Sequence, residues 1–189
     1  MADKHKKNIT DDITAKEMLD TIAVVGDMIT KLEPKQQHIM TEWLDVWRTY
    51  LGFEKTFIPA KLKYYKRGDI VLANFGFNVS SELGGTHYAV VVENNNNNAS
   101  NTLVVVPLSS LADGKAESDL HKSEVYLGKI LPGSDKLSYA MPLQIRTISK
   151  LRIIKPKTKN DSQYRISGSQ LQMIDNKVME LFTKPRQDS

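Results

Sequence analysis

Two short runs, Ala89–Val92 and Leu103–Val106, are apolar at every position. A strand with one face in water alternates apolar and polar residues, so an unbroken apolar run calls for cover on both sides. Between the two runs, Asn94–Asn98 is an uninterrupted asparagine tract. Asparagine accepts turn and left-handed backbone geometry, which predicts a solvated hairpin loop there. Five strands are expected in all: Asp69–Phe75, Tyr88–Asn94, Thr102–Leu108, Ser123–Leu127 and Leu137–Leu143. Each is short and rich in β-branched or aromatic residues. Near the end, Ser169 and Gln172 are spaced as a capping box ahead of Leu171, Ile174, Val178 and Leu181. Several short strands and one closing helix predict a small, strongly curved sheet or an SH3-like barrel.

Upstream of Pro59 the period is different. Thr14 and Glu17 form a capping box, and Met18, Ile22, Val25, Ile29 and Leu32 follow at helical steps. Glu33-Pro34 ends that helix and opens another, because Pro suits a first helical position. Met40, Leu44, Trp47 and Leu51 continue the pattern to about Phe53. A helical hairpin of this length cannot bury both stripes by itself, so it is expected to pack on the rest of the chain or on a second copy. The expected division is residues 1–58 as the helical extension and 59–189 as the barrel domain.

Composition narrows the chemistry. There is no Cys, which excludes a disulfide framework and a thiolate metal site. No apolar run approaches the roughly 20 residues of a membrane helix. The opening MADKHKKNITDD has no apolar leader core, so a cytoplasmic location is expected. His5, His38, His87 and His121 stand in unrelated contexts without a His-x-x-x-His pair, and no nucleotide loop or nucleophile elbow is present. Catalysis, if any, would need neither metal nor cofactor. The net charge is +4. Lys61, Lys63, Lys66 and Arg67 form one basic cluster; Lys150, Arg152, Lys155, Lys157 and Lys159 form another. Tyr64 and Tyr65 sit in the first, which makes base stacking one reading and a solvated surface the other.

Three motifs then stand in order. Lys66–Asn94, KRGDIVLANFGFNVSSELGGTHYAVVVEN, resembles the opening of the MazF/PemK toxins, the endoribonucleases of type II toxin–antitoxin pairs. That family begins with an Arg-Gly-Asp-Ile/Val strand, a loop ending Gly-Ser-Glu-Gln-Gly-Gly-x-Arg-Pro, and a Val-rich strand. VVVPLSS, ending at Ser110, is similar to the family's third strand, and QIRTISKLRI, Gln144–Ile153, to its Gln-Ile-Arg-Thr-Ile-x-Lys-x-Arg-Leu segment. The likeness runs from about Lys66 to Phe182. It has no counterpart for the first sixty or so residues.

The resemblance implies an α+β chain: an SH3-like, strongly curved antiparallel barrel with a C-terminal helix, behind an N-terminal helical hairpin. It also implies a homodimer, a cognate antitoxin as partner, and single-stranded mRNA as substrate, with no membrane. His87 stands where the family has its catalytic Arg, followed by Tyr88 in place of Pro; Ser109 takes the place of the catalytic Thr or Ser, and Glu82 keeps the loop carboxylate. These three are the implied catalytic residues. Phe77, Asn78, Ser80, Ser81, Gln144 and Arg146 are the implied RNA-binding residues. Phe75 is either core or a base contact. Gly84 and Gly85 are expected to let the loop fold back at unusual torsions. His87 for Arg leaves a second reading, a noncatalytic SH3-like module that binds nucleic acid or protein in the same groove. The related gyrase-poisoning branch typified by CcdB fits the loop and Gln144–Arg146 less well.

Overall fold

The computed structural model describes residues 13–131 and 133–184. His5, with the rest of the first twelve residues, lies outside them. The chain divides into two compact units after Val46.

The first unit is helical. Helix α1 spans Ala15–Thr30 and α2 spans Pro34–Phe53, the last seven residues of α2 belonging to the second unit. Thr14 caps α1 as expected: its hydroxyl accepts from the Glu17 backbone N–H at 3.2 Å, and the Glu17 carboxylate accepts from the Thr14 N–H at 3.0 Å. The turn is tied by the Gln37 amide, which donates to the carbonyls of Thr30 (3.0 Å) and Leu32 (2.7 Å). Along the α1 stripe Val25 and Ile29 are half-buried, while Met18 and Ile22 remain 52% and 59% exposed. Two helices enclose no interior, so the stripe is shielded only in part.

The second unit is an antiparallel sheet of eight strands. They are β1 (Asp69–Asn74), β2 (Thr86–Val91), β3 (Thr102–Ser110), β4 (Val125–Gly128), β5 (Ser138–Ala140), β6 (Arg146–Ser149), β7 (Ile153–Lys155) and β8 (Tyr164–Arg165). The order runs β4-β5-β3-β2-β1-β7, with β6 on β3 and β8 on β1. Strand β3 makes the curvature possible. Its first half pairs with β6 and its last three residues with β5, so one nine-residue strand belongs to two stretches of sheet. The expected antiparallel, strongly curved architecture is present, and its path of pairings is open.

The unalternating runs are explained by two apolar clusters, one on each face. Ala89, Val91, Leu103 and Val105 enter one cluster with Tyr65 and Phe75. Val90 and Val106 enter the other with Ile70 and with Ile174 of α3 (Gly168–Phe182). Each fully buried Val, Leu or Ile side chain among them contributes about 1.5–3 kcal/mol.

Several expectations are corrected. Helix α3 begins two residues early: Ser167 is the cap, with Gln170 in the reciprocal role, because Ser167 rather than Ser169 has the extended backbone a cap needs. Strands β6 to β8 were not expected; they are two to four residues long, and strands that short leave no periodicity to read. The asparagine tract is not simply solvated. Asn96 is buried, with its amide on the carbonyl of Thr102, and the buried Lys150 ammonium donates to Asn97 O at 3.0 Å. Burial holds the Lys150 pKa below its ordinary value.

Tyr65 is core rather than a stacking surface. It is fully buried, and its hydroxyl donates to Pro156 O at 2.6 Å. Burial pushes its pKa well above the usual 10.0. The neutral phenol is therefore favoured in the fold, and stability present below pH 10 should be lost as pH rises beyond it. Tyr65→Phe should cost about 0.5–1.5 kcal/mol at neutral pH. It should also flatten the alkaline limb of a Tm-against-pH curve, and equal alkaline limbs would count against this assignment.

Candidate active site at the β1–β2 loop

The loop between β1 and β2 is pinched at its base. Phe75 N donates to Gly85 O (2.7 Å) and Gly85 N to Gly76 O (2.6 Å). Gly76 and Gly85 have φ of 89° and 75°, a region that favours glycine. Gly84 is needed for a different reason from the expected torsion. A Cβ there would lie 2.7 Å from the carbonyl oxygen of Gly76. Gly84→Ala must therefore displace the loop. Any activity that depends on this loop should fall by up to about 10²-fold, as small misplacements of reacting groups can cost, while the far-ultraviolet circular dichroism of the sheet stays unchanged.

Three of the expected RNA-binding residues hold the loop from inside. The Asn78 amide donates to Phe75 O (3.2 Å) and Leu83 O (2.6 Å). Gln144 Oε1 accepts from Leu83 N (3.2 Å), and its Nε2 donates to Ser81 O (3.4 Å). The Arg146 guanidinium donates to Leu83 O (3.3 Å) and Gln144 Oε1 (2.9 Å). It also lies 5.5 Å from the centre of the Phe75 ring, within cation–π range. Phe77, Ser80, Ser81 and Glu82 are exposed along the loop, Ser80 with a φ of 53°. Phe75 is 3% exposed and belongs to the core cluster.

His87 is the second residue of β2, opposite Ala73 of β1. Side chains alternate along a strand, so His87 shares the face of Ala89 and Val91 and stands at the end of their cluster. Its ring meets Phe75 edge-on, with centroids 6.4 Å apart at 69°. Ser109 is half-buried near the end of β3, opposite Tyr139. Thus Phe75 has the imidazole of His87 and the guanidinium of Arg146 on one ring, while Glu82 is carried by the loop above.

A polar cavity of about 370 Å³ opens alongside, lined by Phe75, Asn78, Arg146, Thr147, Ser149 and Arg152. Sequence reading gave Arg152 no role here. Its guanidinium donates to Asn74 O at 3.2 Å and so buttresses the loop's first strand. Burial lowers the Arg152 pKa; Tyr50 from the end of α2 opposes this and Arg146 adds to it. Arginine remains charged in proteins, so two neighbouring cations line the cavity. The sequence signals for Arg152 were its membership of the second basic cluster and its place eight residues after Gln144 in the third motif.

Among the described residues no group of three or more His, Asp or Glu is arranged to hold a metal ion. Among the same residues no helix is long and apolar enough to cross a membrane.

The family profile described as PemK-like, MazF-like toxin of type II toxin-antitoxin system matches residues 66–182. No curated protein matches the chain significantly. Among solved structures, the chain is similar to MazF from Deinococcus radiodurans, with a TM-score of 0.45 and 21% identity over 63% of this chain and 97% of that one. It is also similar to a MazE–MazF structure from the same organism, at TM-score 0.41 and 19% identity over 65% of this chain and 100% of the other.

Proposed function

The chain belongs to the PemK-like, MazF-like toxin family of type II toxin–antitoxin systems, and from that premise we propose that it is a metal-independent endoribonuclease acting on single-stranded RNA. The observation that carries the proposal is the trio at the loop base: the His87 imidazole and the Arg146 guanidinium held on Phe75 beside an arginine-lined cavity.

Cleavage without a metal needs three things at one phosphodiester. A base removes the 2′-hydroxyl proton, the 2′-oxygen attacks phosphorus, and the bond from phosphorus to the 5′-oxygen breaks as that oxygen is protonated. The products carry a 2′,3′-cyclic phosphate and a 5′-hydroxyl. In this reading Glu82 takes the 2′-proton and His87 delivers the proton to the leaving oxygen. The Ser109 hydroxyl orients the phosphate. Arg146 and Arg152 stabilise the charge that builds on it, as fixed cations do in a partly dehydrated site. Phe77, Ser80 and Ser81 contact the strand from the exposed loop.

Family membership also supports a cognate antitoxin as protein partner, a homodimer, and residues 59–189 as the part that carries activity. The test is incubation of the purified protein with a long RNA in EDTA, followed by end mapping. Fragments with cyclic phosphate and 5′-hydroxyl ends are expected. RNA left intact at high protein concentration would refute the nuclease reading, and cleavage abolished by EDTA would refute its metal independence; intact RNA that is still bound would favour the noncatalytic module.

A further inference from the structure

The two lysine clusters, ninety residues apart in sequence, meet on the barrel unit. Lys63 donates from its backbone N to Lys157 O (2.7 Å) and from its ammonium to Asp161 O (2.8 Å). Segment 61–66 therefore runs beside the loop at 155–161. Lys61, Lys66, Lys155, Lys157 and Lys159 are exposed. Nearby carboxylates are engaged. Asp69 accepts from Arg165 Nε (2.8 Å) and from Lys66 N (2.8 Å); Asp161 accepts from Lys157 N (2.6 Å) and Thr158 N (2.8 Å). The other members of the clusters are not part of this surface. Lys150 is buried, Arg152 supports the loop, and Arg67 pairs with Asp175 and the carbonyl of Val92.

Beside these lysines is a cavity of about 390 Å³. The sheet register builds its floor. Leu72 lies between Tyr88 on β2 and Lys155 on β7, and Ile70 lies opposite Tyr164 on β8. Tyr164 is 45% exposed, Tyr88 is half-buried, and Asn160 stands exposed at the rim. Tyr88 follows His87 on the same strand, so the two side chains leave it on opposite faces. The cavity is consequently separate from the candidate active site.

We propose that this Tyr88–Tyr164–Lys155 surface is a second binding site, for single-stranded nucleic acid. Aromatic rings beside a shallow cavity accept unpaired bases by stacking, and a surrounding excess of lysines follows the phosphates. A duplex hides its base faces, and an acidic peptide would use the lysines but leave the tyrosines idle. Binding here requires no cleavage and does not depend on the nuclease reading.

The test uses the full chain and fluorescently labelled oligomers of about 12 nucleotides, within the usual span of single-strand sites. One is 2′-O-methyl RNA and the other oligo-deoxythymidine; neither has a free 2′-hydroxyl, so neither can be cut. Tyr164→Ala should raise Kd about tenfold for the oligomer that binds. A Lys155→Ala, Lys157→Ala double variant should reduce the slope of log K against log salt by about 0.7 per lysine. Photocrosslinks from 5-iodouracil should fall on Tyr88 or Tyr164. The ratio of the two affinities tells whether the strand is RNA or DNA, and either supports the site. Heparin, a polyanion without bases, should bind Tyr164→Ala and the native chain equally. Unchanged oligomer affinity in Tyr164→Ala, crosslinks confined to the loop at 76–85, or an equal loss of heparin binding would overturn the proposal. A chain that fails to cut RNA yet shows this pattern keeps the site and loses only the nuclease reading.

Discussion

His87→Ala is expected to slow RNA cleavage by about 10²–10⁴-fold, the usual contribution of a positioned acid or base, while leaving the protein folded. The imidazole is half-buried at the end of a strand, and its neighbour in the core, Phe75, remains enclosed by the cluster around it. Truncation therefore removes a proton carrier and little packing. His87→Arg is the informative partner. It places at this position the cation that the resemblance implies there, so activity should be retained or raised. A guanidinium does not titrate in the working range, so a pH step in rate that depends on the imidazole should vanish with it. Single-turnover rates from pH 5 to 9 on both variants make the measurement. An alanine variant that cuts at the native rate would remove His87 from the mechanism.

Arg146→Ala should cost about 10²-fold or more in the same assay, for two physical reasons. Its guanidinium holds Leu83 O and Gln144 Oε1, and with them the loop that carries Glu82. It is also one of the two cations lining the polar cavity. Loss of a fixed donor to a developing oxyanion is worth about 10²–10³ by itself. Arg146→Lys should recover little, because an ammonium cannot hold two acceptors in a planar fork while lying over an aromatic ring. Limited proteolysis at residues 79–83 separates the effects: a loosened loop is cut faster in both variants. A lysine variant with native activity and native loop protection would show that the fork geometry is irrelevant.

The legible part of this protein is local. The capping box at Thr14 and Glu17, the helical stripes, and the doubly covered runs at Ala89 and Leu103 follow from nearest-neighbour chemistry, and the structure contains them. The order of three motifs carried the family, because spacing along a chain survives without knowledge of contacts. The candidate site was legible as a set of names only. That Asn78, Gln144 and Arg146 turn inward to pin the loop depends on hydrogen bonds spanning up to 63 residues, which no local pattern encodes. Tyr65 and Tyr64 are adjacent and alike in sequence; tertiary packing buries one and leaves the other 47% exposed. The lysines divide in the same way. Lys150 lies under the asparagine tract, whereas Lys155, Lys157 and Lys159 meet Lys61 and Lys63 across a fold that brings the two clusters together. A side chain's type sets what it can bond. Which partner it finds is decided by long-range strand pairing, where burial makes each unpaired polar group costly and leaves few arrangements that satisfy them all.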